Sequence, residues 1–455
     1  MTTEIAGQPR RHASAAYVAM LAVAMVVGAG IFRSPALVAE ASGAPLWLFA
    51  AWLVAGAITL VGALCYAELA TAFPHPGGDY HFLRIAYGKT WSFLFAWGRF
   101  TVINSGSIAL LGYVLGDYLN VVLPLGPAGG PIYAAASVII LTAFNLRGVG
   151  KGHDAADYGL TGLEVVGLLV MAAAAFALIL QGVPPVEEID LSATAPPPQS
   201  FGYALVYALL AYGGWSEVAT LSAEVRDPRR GMVRALVGAV SLITGLYLLV
   251  NWAFWYGLGT DGLAASATPA ADLIEKAFGR LAAVITALAI AFAVITSINA
   301  TIVVGARTTY ACAADWPALR AIGRWDDARQ IPAAAIWAQG AISLALVVFA
   351  AFYRGFGTLV DYTAPVYWLF LAMSGFAVIV MRVRSPDVNR PYKTPLFPVL
   401  PIAFALSSLA MLASAMSYVT SETGAGALVS VAVFTTGLVA LFFVRRSSAQ
   451  TRVKP

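Results

Sequence analysis

Apolar positions in this chain neither alternate nor fall into one-sided stripes; they run on in long blocks separated by short polar stretches. Blocks of about 20 predominantly apolar residues, long enough to cross a bilayer as a helix, cover 15-40, 45-72, 85-120, 130-147, 157-181, 201-223, 234-259, 280-312, 332-352, 357-381, 396-418 and 425-444. The pattern predicts an all-α membrane protein of about twelve transmembrane helices. Two blocks are interrupted from within, the first by Gly28-Ala29-Gly30 and the sixth by Gly213-Gly214. Glycine inside a helix costs about 1 kcal/mol against alanine, and backbone that leaves the helix at membrane depth survives only where protein or a wet cavity satisfies it. Interruptions at corresponding places in two halves of a polytopic chain point to the substrate pocket of a secondary transporter. For a single glycine pair the competing explanation is close helix packing; the second break argues against it.

The blocks divide the chain into a tail (1-14), a five-helix unit (15-181), a linker (182-200), a second five-helix unit (201-381), two further helices (382-444) and a tail (445-455). The linker carries Pro184-Pro185, Glu187, Glu188 and Pro196-Pro197-Pro198. If the two units form a five-plus-five inverted repeat, the broken first helix of each, helices 1 and 6 of the chain, falls at the two glycine interruptions, as that architecture requires.

Charge sets orientation. Most of the 27 lysines and arginines lie in connections on the side of the N-terminus, which the positive-inside rule makes cytoplasmic, with both termini inside a cell membrane, the inner one in a bacterium. Arg10-Arg11 ahead of an apolar run looks superficially like a signal peptide, but that run continues to Ala39 and further spans follow. The chain is 60% hydrophobic and 11% charged, which excludes a soluble domain of this length. Basic residues form no single patch, so no nucleic-acid partner is indicated. Cys65 and Cys312 lie in apolar stretches and His12, His75, His81 and His153 at loops or ends, so no metal site, cofactor or hydrolytic centre is indicated, and no enzyme. A channel or receptor is the alternative from another class, though broken helices suit alternating access better than an open pore.

The breaks suggest a ligand by their electrostatics. The half-helix starting near Ala29 presents free N-H groups and a partial positive charge, suited to a carboxylate. Carbonyls ending near Val26, Leu210 and Gly213 offer the opposite polarity, suited to an ammonium group. A zwitterion such as an α-amino acid satisfies both.

These segments also carry a resemblance. Val27-Gly28-Ala29-Gly30-Ile31-Phe32 with Ser34-Pro35, Tyr66-Ala67-Glu68-Leu69 with Pro76-Gly77-Gly78-Asp79-Tyr80, Ala211-Tyr212-Gly213-Gly214-Trp215 with Glu224 to Arg230, Arg307-Thr308-Thr309-Tyr310-Ala311 and Arg390-Pro391-Tyr392-Lys393-Thr394-Pro395 follow one another in order. The set resembles the signature of the amino acid-polyamine-organocation superfamily, in its L-type amino acid transporter-like branch. That resemblance implies a twelve-helix permease with discontinuous helices 1 and 6. It implies a substrate carboxylate on the amides of Ala29 and Gly30 and an ammonium on the carbonyls of Val26, Leu210 and Gly213, with Ser216 facing the pocket. Where Leu210 stands, relatives commonly have an aromatic lid; here occlusion would rest on Tyr207, Tyr212 or Trp215. Where Glu164 stands, many relatives place a lysine.

An acid at membrane depth is a functional suspect by default, so Glu164 is a candidate proton carrier, the alternatives being an ion pair with an arginine or a place on a wet surface near the cytoplasmic end of its helix. Asn104 on the third span and Ser297 on the eighth are candidates for contact with substrate or ion; Thr296 and Ser297 would also supply oxygen ligands if sodium were used. Glu217 either reads a cationic substrate or caps exposed backbone, and Arg99 either partners an acid or snorkels to the membrane surface. The expected function is alternating-access transport of neutral L-amino acids, by exchange or proton-coupled uptake, with a cationic amino acid or polyamine antiporter as the alternative. The partners are the amino acid substrate and the lipid bilayer; the sequence leaves the oligomeric state open.

Overall fold

The computed structural model describes residues 19–20, 22–23, 26–75, 77–148, 154–217, 231–314, 316, 319, 321–353, 355–422 and 432–444, with the side chains of 29, 154–164, 311, 314 and 418–422 outside that description. Its elements are helices: α1 (Ser34–Ser42), α2 (Pro45–Ala72), α3 (Gly78–Tyr87), α4 (Lys89–Gly98), a π-helical segment (Arg99–Asn104), α5 (Ser105–Val122), α6 (Gly129–Leu146) and α7 (Asp154–Leu180), followed by α8 (Pro198–Ala211), α9 (Val233–Ala265), α10 (Pro269–Phe278), α11 (Arg280–Ala314), α12 (Ala333–Ala351), α13 (Phe356–Arg384) and α14 (Val399–Glu422). Among the described residues eight helices are long and apolar enough to cross a membrane, with shorter apolar helices at Val165–Leu180 and Ala432–Val444. The protein is therefore a multi-pass membrane protein.

Local chemistry sets the helix ends. Proline stands in the first turn of α1, α2, α8 and α10, where its missing N–H has no helical partner to lose. α1 ends on Gly43 in the left-handed region, its N–H donating to the Ala39 carbonyl. α4, the π segment and α5 run on as one 34-residue span. The connections α3 and α10 have ten residues each, too few to cross and with a charge in their first and last turns.

Packing between the spans relies on small residues, because lipid is as apolar as the side chains and close backbone approach must supply the attraction. Gly112 and Gly116, one turn apart on α5, meet Ala134 and Gly130 of α6; a Cβ on Gly116 would stand 2.3 Å from the Gly130 carbonyl oxygen. The segment between α7 and α8 is stitched to the bundle. The Trp47 indole N–H donates to the Ala193 carbonyl (3.2 Å), the Val186 N–H to the Tyr256 carbonyl (3.3 Å) and the Tyr256 hydroxyl to the Val183 carbonyl (2.6 Å). Glu187 accepts from both the N–H and the hydroxyl of Thr260.

Candidate functional site

Helical backbone at Val26 gives way to a bend at Val27 and Gly28. Gly28 is extended, and Ala29–Phe32 form one 3-10 turn closed by the Arg33 N–H on the Gly30 carbonyl, 3.1 Å. Ala29 and Gly30 open that turn, so their amides belong to the set that a helix cannot satisfy internally. α8 stops at Ala211; the Gly213 N–H folds back onto the Leu210 carbonyl (3.0 Å), and Gly214 takes φ 101°, a conformation that favours glycine. The two irregular segments touch. A Cβ on Gly30 would lie 3.3 Å from the Cα of Ala211 and 3.9 Å from the Leu210 carbonyl oxygen.

One side chain joins them. The Tyr247 hydroxyl of α9 lies 3.0 Å from the Val26 carbonyl and 2.9 Å from the Ala211 carbonyl, so a single O–H proton serves two acceptors. Its ring packs on Trp52 and Tyr212, with centroids 5.6 and 5.1 Å away, and the Tyr212 hydroxyl donates to the Trp52 carbonyl. All three rings are fully buried. Val26, expected to offer its carbonyl to an ammonium group, thus already accepts from tyrosine with one of its two lone pairs.

A second polar group lies beyond Gly214. Tyr66, Asp79, Arg99, Ser216, Glu217 and Tyr367 line a cavity of about 30 Å³. A water needs roughly 10–15 Å³ on this measure, so the space holds about two waters and is too small for an amino acid. Arg99 pairs with Glu217 at 2.8 Å, its side chain 12% exposed, which resolves the sequence alternatives for both residues into an ion pair. Asp79, at the start of α3 and outside the spans, receives the Ser374 hydroxyl at 3.3 Å. Burial pushes its carboxyl up to about 6; the Tyr66 hydroxyl opposes this, the Glu217 charge adds to it, and Arg99 and Ser374 oppose it.

The remaining candidates spread out. Asn104 is buried in the π segment. The Ser297 and Thr296 hydroxyls both donate to the Ala293 carbonyl of their own helix. Leu210 is half-buried; Tyr207 packs edge-on against Tyr203. Trp215 stands edge-on to Tyr66 at 4.9 Å and to Phe404 at 6.0 Å. Glu164 belongs to the backbone of α7, but its side chain, like that of Ala29, lies outside the described residues. Sequence reasoning assigned no role to Tyr247, although a hydroxyl inside an otherwise apolar run must find a partner. In the sequence Asp79 stands out only as part of the Pro76-Gly77-Gly78-Asp79-Tyr80 motif.

The profile of the amino acid permease family matches residues 16–443. The chain belongs to that family. It is 26% identical over 421 residues to the serine/threonine exchanger SteT of Bacillus subtilis, covering 90% of this chain and 92% of the relative. It is 27% identical over 394 residues to the b(0,+)-type amino acid transporter 1 of Mus musculus (85% and 79%) and 27% over 393 residues to the large neutral amino acids transporter small subunit 2 of Homo sapiens (84% and 72%). This amino acid permease of the amino acid-polyamine-organocation superfamily is a transporter, not an enzyme.

Proposed function

We propose that this permease carries neutral L-amino acids by alternating access, taking the zwitterion between the Gly28–Phe32 turn and the end of α8. The observation that carries the reading is the contact of two irregular backbone segments at Gly30 and Ala211. Amides at one and carbonyls at the other match the two charges every α-amino acid has in common. The substrate carboxylate goes to Ala29 and Gly30, and its ammonium to the carbonyls of Val26, Leu210 and Gly213, with Asn104 and Ser216 at the edges and Tyr207, Tyr212 and Trp215 as closing groups. Ion pairing of Glu217 with Arg99 leaves that acid unsuited to a second cation, which favours neutral substrates over cationic amino acids or polyamines. The names of the serine/threonine exchanger and the large neutral amino acids transporter agree with this class, and the former favours exchange.

The same reading gives twelve spans with both termini cytoplasmic, two inverted five-helix units over 15-181 and 201-381 joined by 182-200, then 382-444. Helices 1 and 6 are discontinuous in it, and Glu164 and Ser297 stand beside the pocket as coupling candidates.

Counterflow into proteoliposomes tests it. Labelled serine, alanine and leucine accumulate against unlabelled internal substrate, and arginine and putrescine compete poorly. Competition led by putrescine, which has no carboxylate, refutes the proposal; equilibration without counterflow points to a channel.

A further inference from the structure

The cavity beside Arg99 holds a charge imbalance. Asp79 and Glu217 are two acids and Arg99 one base around space for about two waters, so full ionisation leaves one negative charge in a poorly polarisable surrounding. Geometry decides which acid is left over. The guanidinium is committed to Glu217 at 2.8 Å, while Asp79 has hydroxyls for company: Ser374 at 3.3 Å from α13 and Tyr66 from α2.

Among the described residues no other base faces that charge. Facing the group are Tyr66 from α2, Tyr367 and Ser374 from α13, Arg99 from the π segment, and Ser216 with Glu217 beyond α8. Arg384, on the far part of α13, donates to the Ala86 carbonyl at 2.7 Å. On the helix of Asp79 itself, Arg84 is exposed, and His81 stacks face to face on His75 at 3.9 Å. Burial first, then His75 and Arg84, push His81 down to about 4, so it is neutral at physiological pH.

We infer that Asp79 is a proton-binding site, taking up one proton in mildly acidic solution in the arrangement described here and releasing it when the Arg99–Glu217 pair separates and Arg99 turns toward it. The O–H bond breaks, its electron pair stays on the carboxylate, and the proton passes to cavity water. The coupling of this proton to substrate movement rests on the carrier reading above; the site itself does not. Its sign follows from the opposing groups already named, since burial and Glu217 hold the proton on and Arg99 draws it off.

Infrared difference spectra of the purified protein in nanodiscs, titrated from about pH 4.5 to 8, follow the carboxylic C=O band. One band should disappear with a midpoint near pH 6 and be missing in Asp79→Asn. Serine exchange by the wild type should change severalfold between about pH 5 and 7, as Asp79 goes from about nine-tenths to about one-tenth protonated, and by less than about 1.5-fold in Asp79→Asn. A titrating band that persists in the variant, or none in that window, overturns the site; identical pH profiles overturn its coupling. Should Asp79→Asn fail to fold, Tyr66→Phe and Ser374→Ala each remove a donor to the ionised carboxylate and must raise the midpoint, and no movement in either overturns the site. A wild type that moves no amino acid at any pH while its band titrates refutes the carrier reading and leaves the proton site standing.

Discussion

Replacing Glu68 by alanine should be among the most destabilising single changes in this protein. Glu68, in the last turns of α2, is 2% exposed. It accepts two hydrogen bonds from Arg382 at 2.7 Å and one from the Thr394 N–H at 2.7 Å, with the Arg390 guanidinium 3.5 Å away. Charge-assisted bonds contribute about 1.5–3 kcal/mol each, giving roughly 4.5–9 kcal/mol in gross terms. The net loss is smaller, because Arg382 keeps the Thr394 carbonyl and Arg390 keeps those of Met381, Ser385 and Val388. Two arginines left facing each other place the cost in the range for breaking a buried pair, about 3–5 kcal/mol. Equilibrium unfolding in mixed micelles, followed by tryptophan fluorescence, measures it. A double-mutant cycle of Glu68→Gln with Arg382→Met should show coupling of at least about 1.5 kcal/mol. A loss below about 1 kcal/mol for Glu68→Ala, the level of an exposed pair, refutes the reasoning.

Gly116→Ala drives a methyl into the Gly130 carbonyl at 2.3 Å and should cost about 1–3 kcal/mol in the same unfolding assay, whereas Gly238→Ala, inside α9 with nothing within 4 Å of the added Cβ, should cost nothing measurable. Tyr247→Phe removes the proton shared by the Val26 and Ala211 carbonyls and should cost about 1–3 kcal/mol, with a raised KM for serine exchange as the check on position. Acid should weaken the α3 region through His81. Its ring is held down to about 4 against an ordinary 6.5, so between those values the unfolded chain binds a proton the folded one refuses, and stability falls as pH drops from 6.5 toward 4. Asp79, raised to about 6 from 3.8, acts with the opposite sign, gaining stability toward acid across its own window. The two shifts nearly offset each other between about pH 4 and 6, so His81→Gln should uncover the Asp79 gain and make unfolding midpoints rise toward acid relative to the wild type between about pH 4.5 and 6; an unchanged slope counts against the burial of that ring.

Block length was a sufficient guide to the long helices. The expected 45-72 is α2 as it stands, and 332-352, 357-381 and 396-418 each overlap a long apolar helix to within about three residues. α3 and α10 escaped, because a helix of ten residues with polar ends never fills a window of about 20 apolar positions. The glycine interruption was legible as a local event, and the backbone does bend at Gly28 and turn at Ala29–Phe32. What the sequence could not supply was partnership across distance. Glu68 meets Arg382 and Asp79 meets Ser374 over separations of 314 and 295 residues, and nothing in the neighbourhood of either acid names its mate. Arg99 and Glu217 were each flagged alone; only the fold makes them a pair.

The stitching of 182–197 has a practical corollary. With Val183, Val186, Glu187 and Ala193 tied to Trp47, Tyr256 and Thr260, this proline-rich seam behaves as upholstery on the ends of α2 and α9 rather than as slack rope. A fluorophore placed there should show the slow depolarisation of the whole particle, and any change in its distance to a second dye would register displacement of those helix ends instead of idle tumbling.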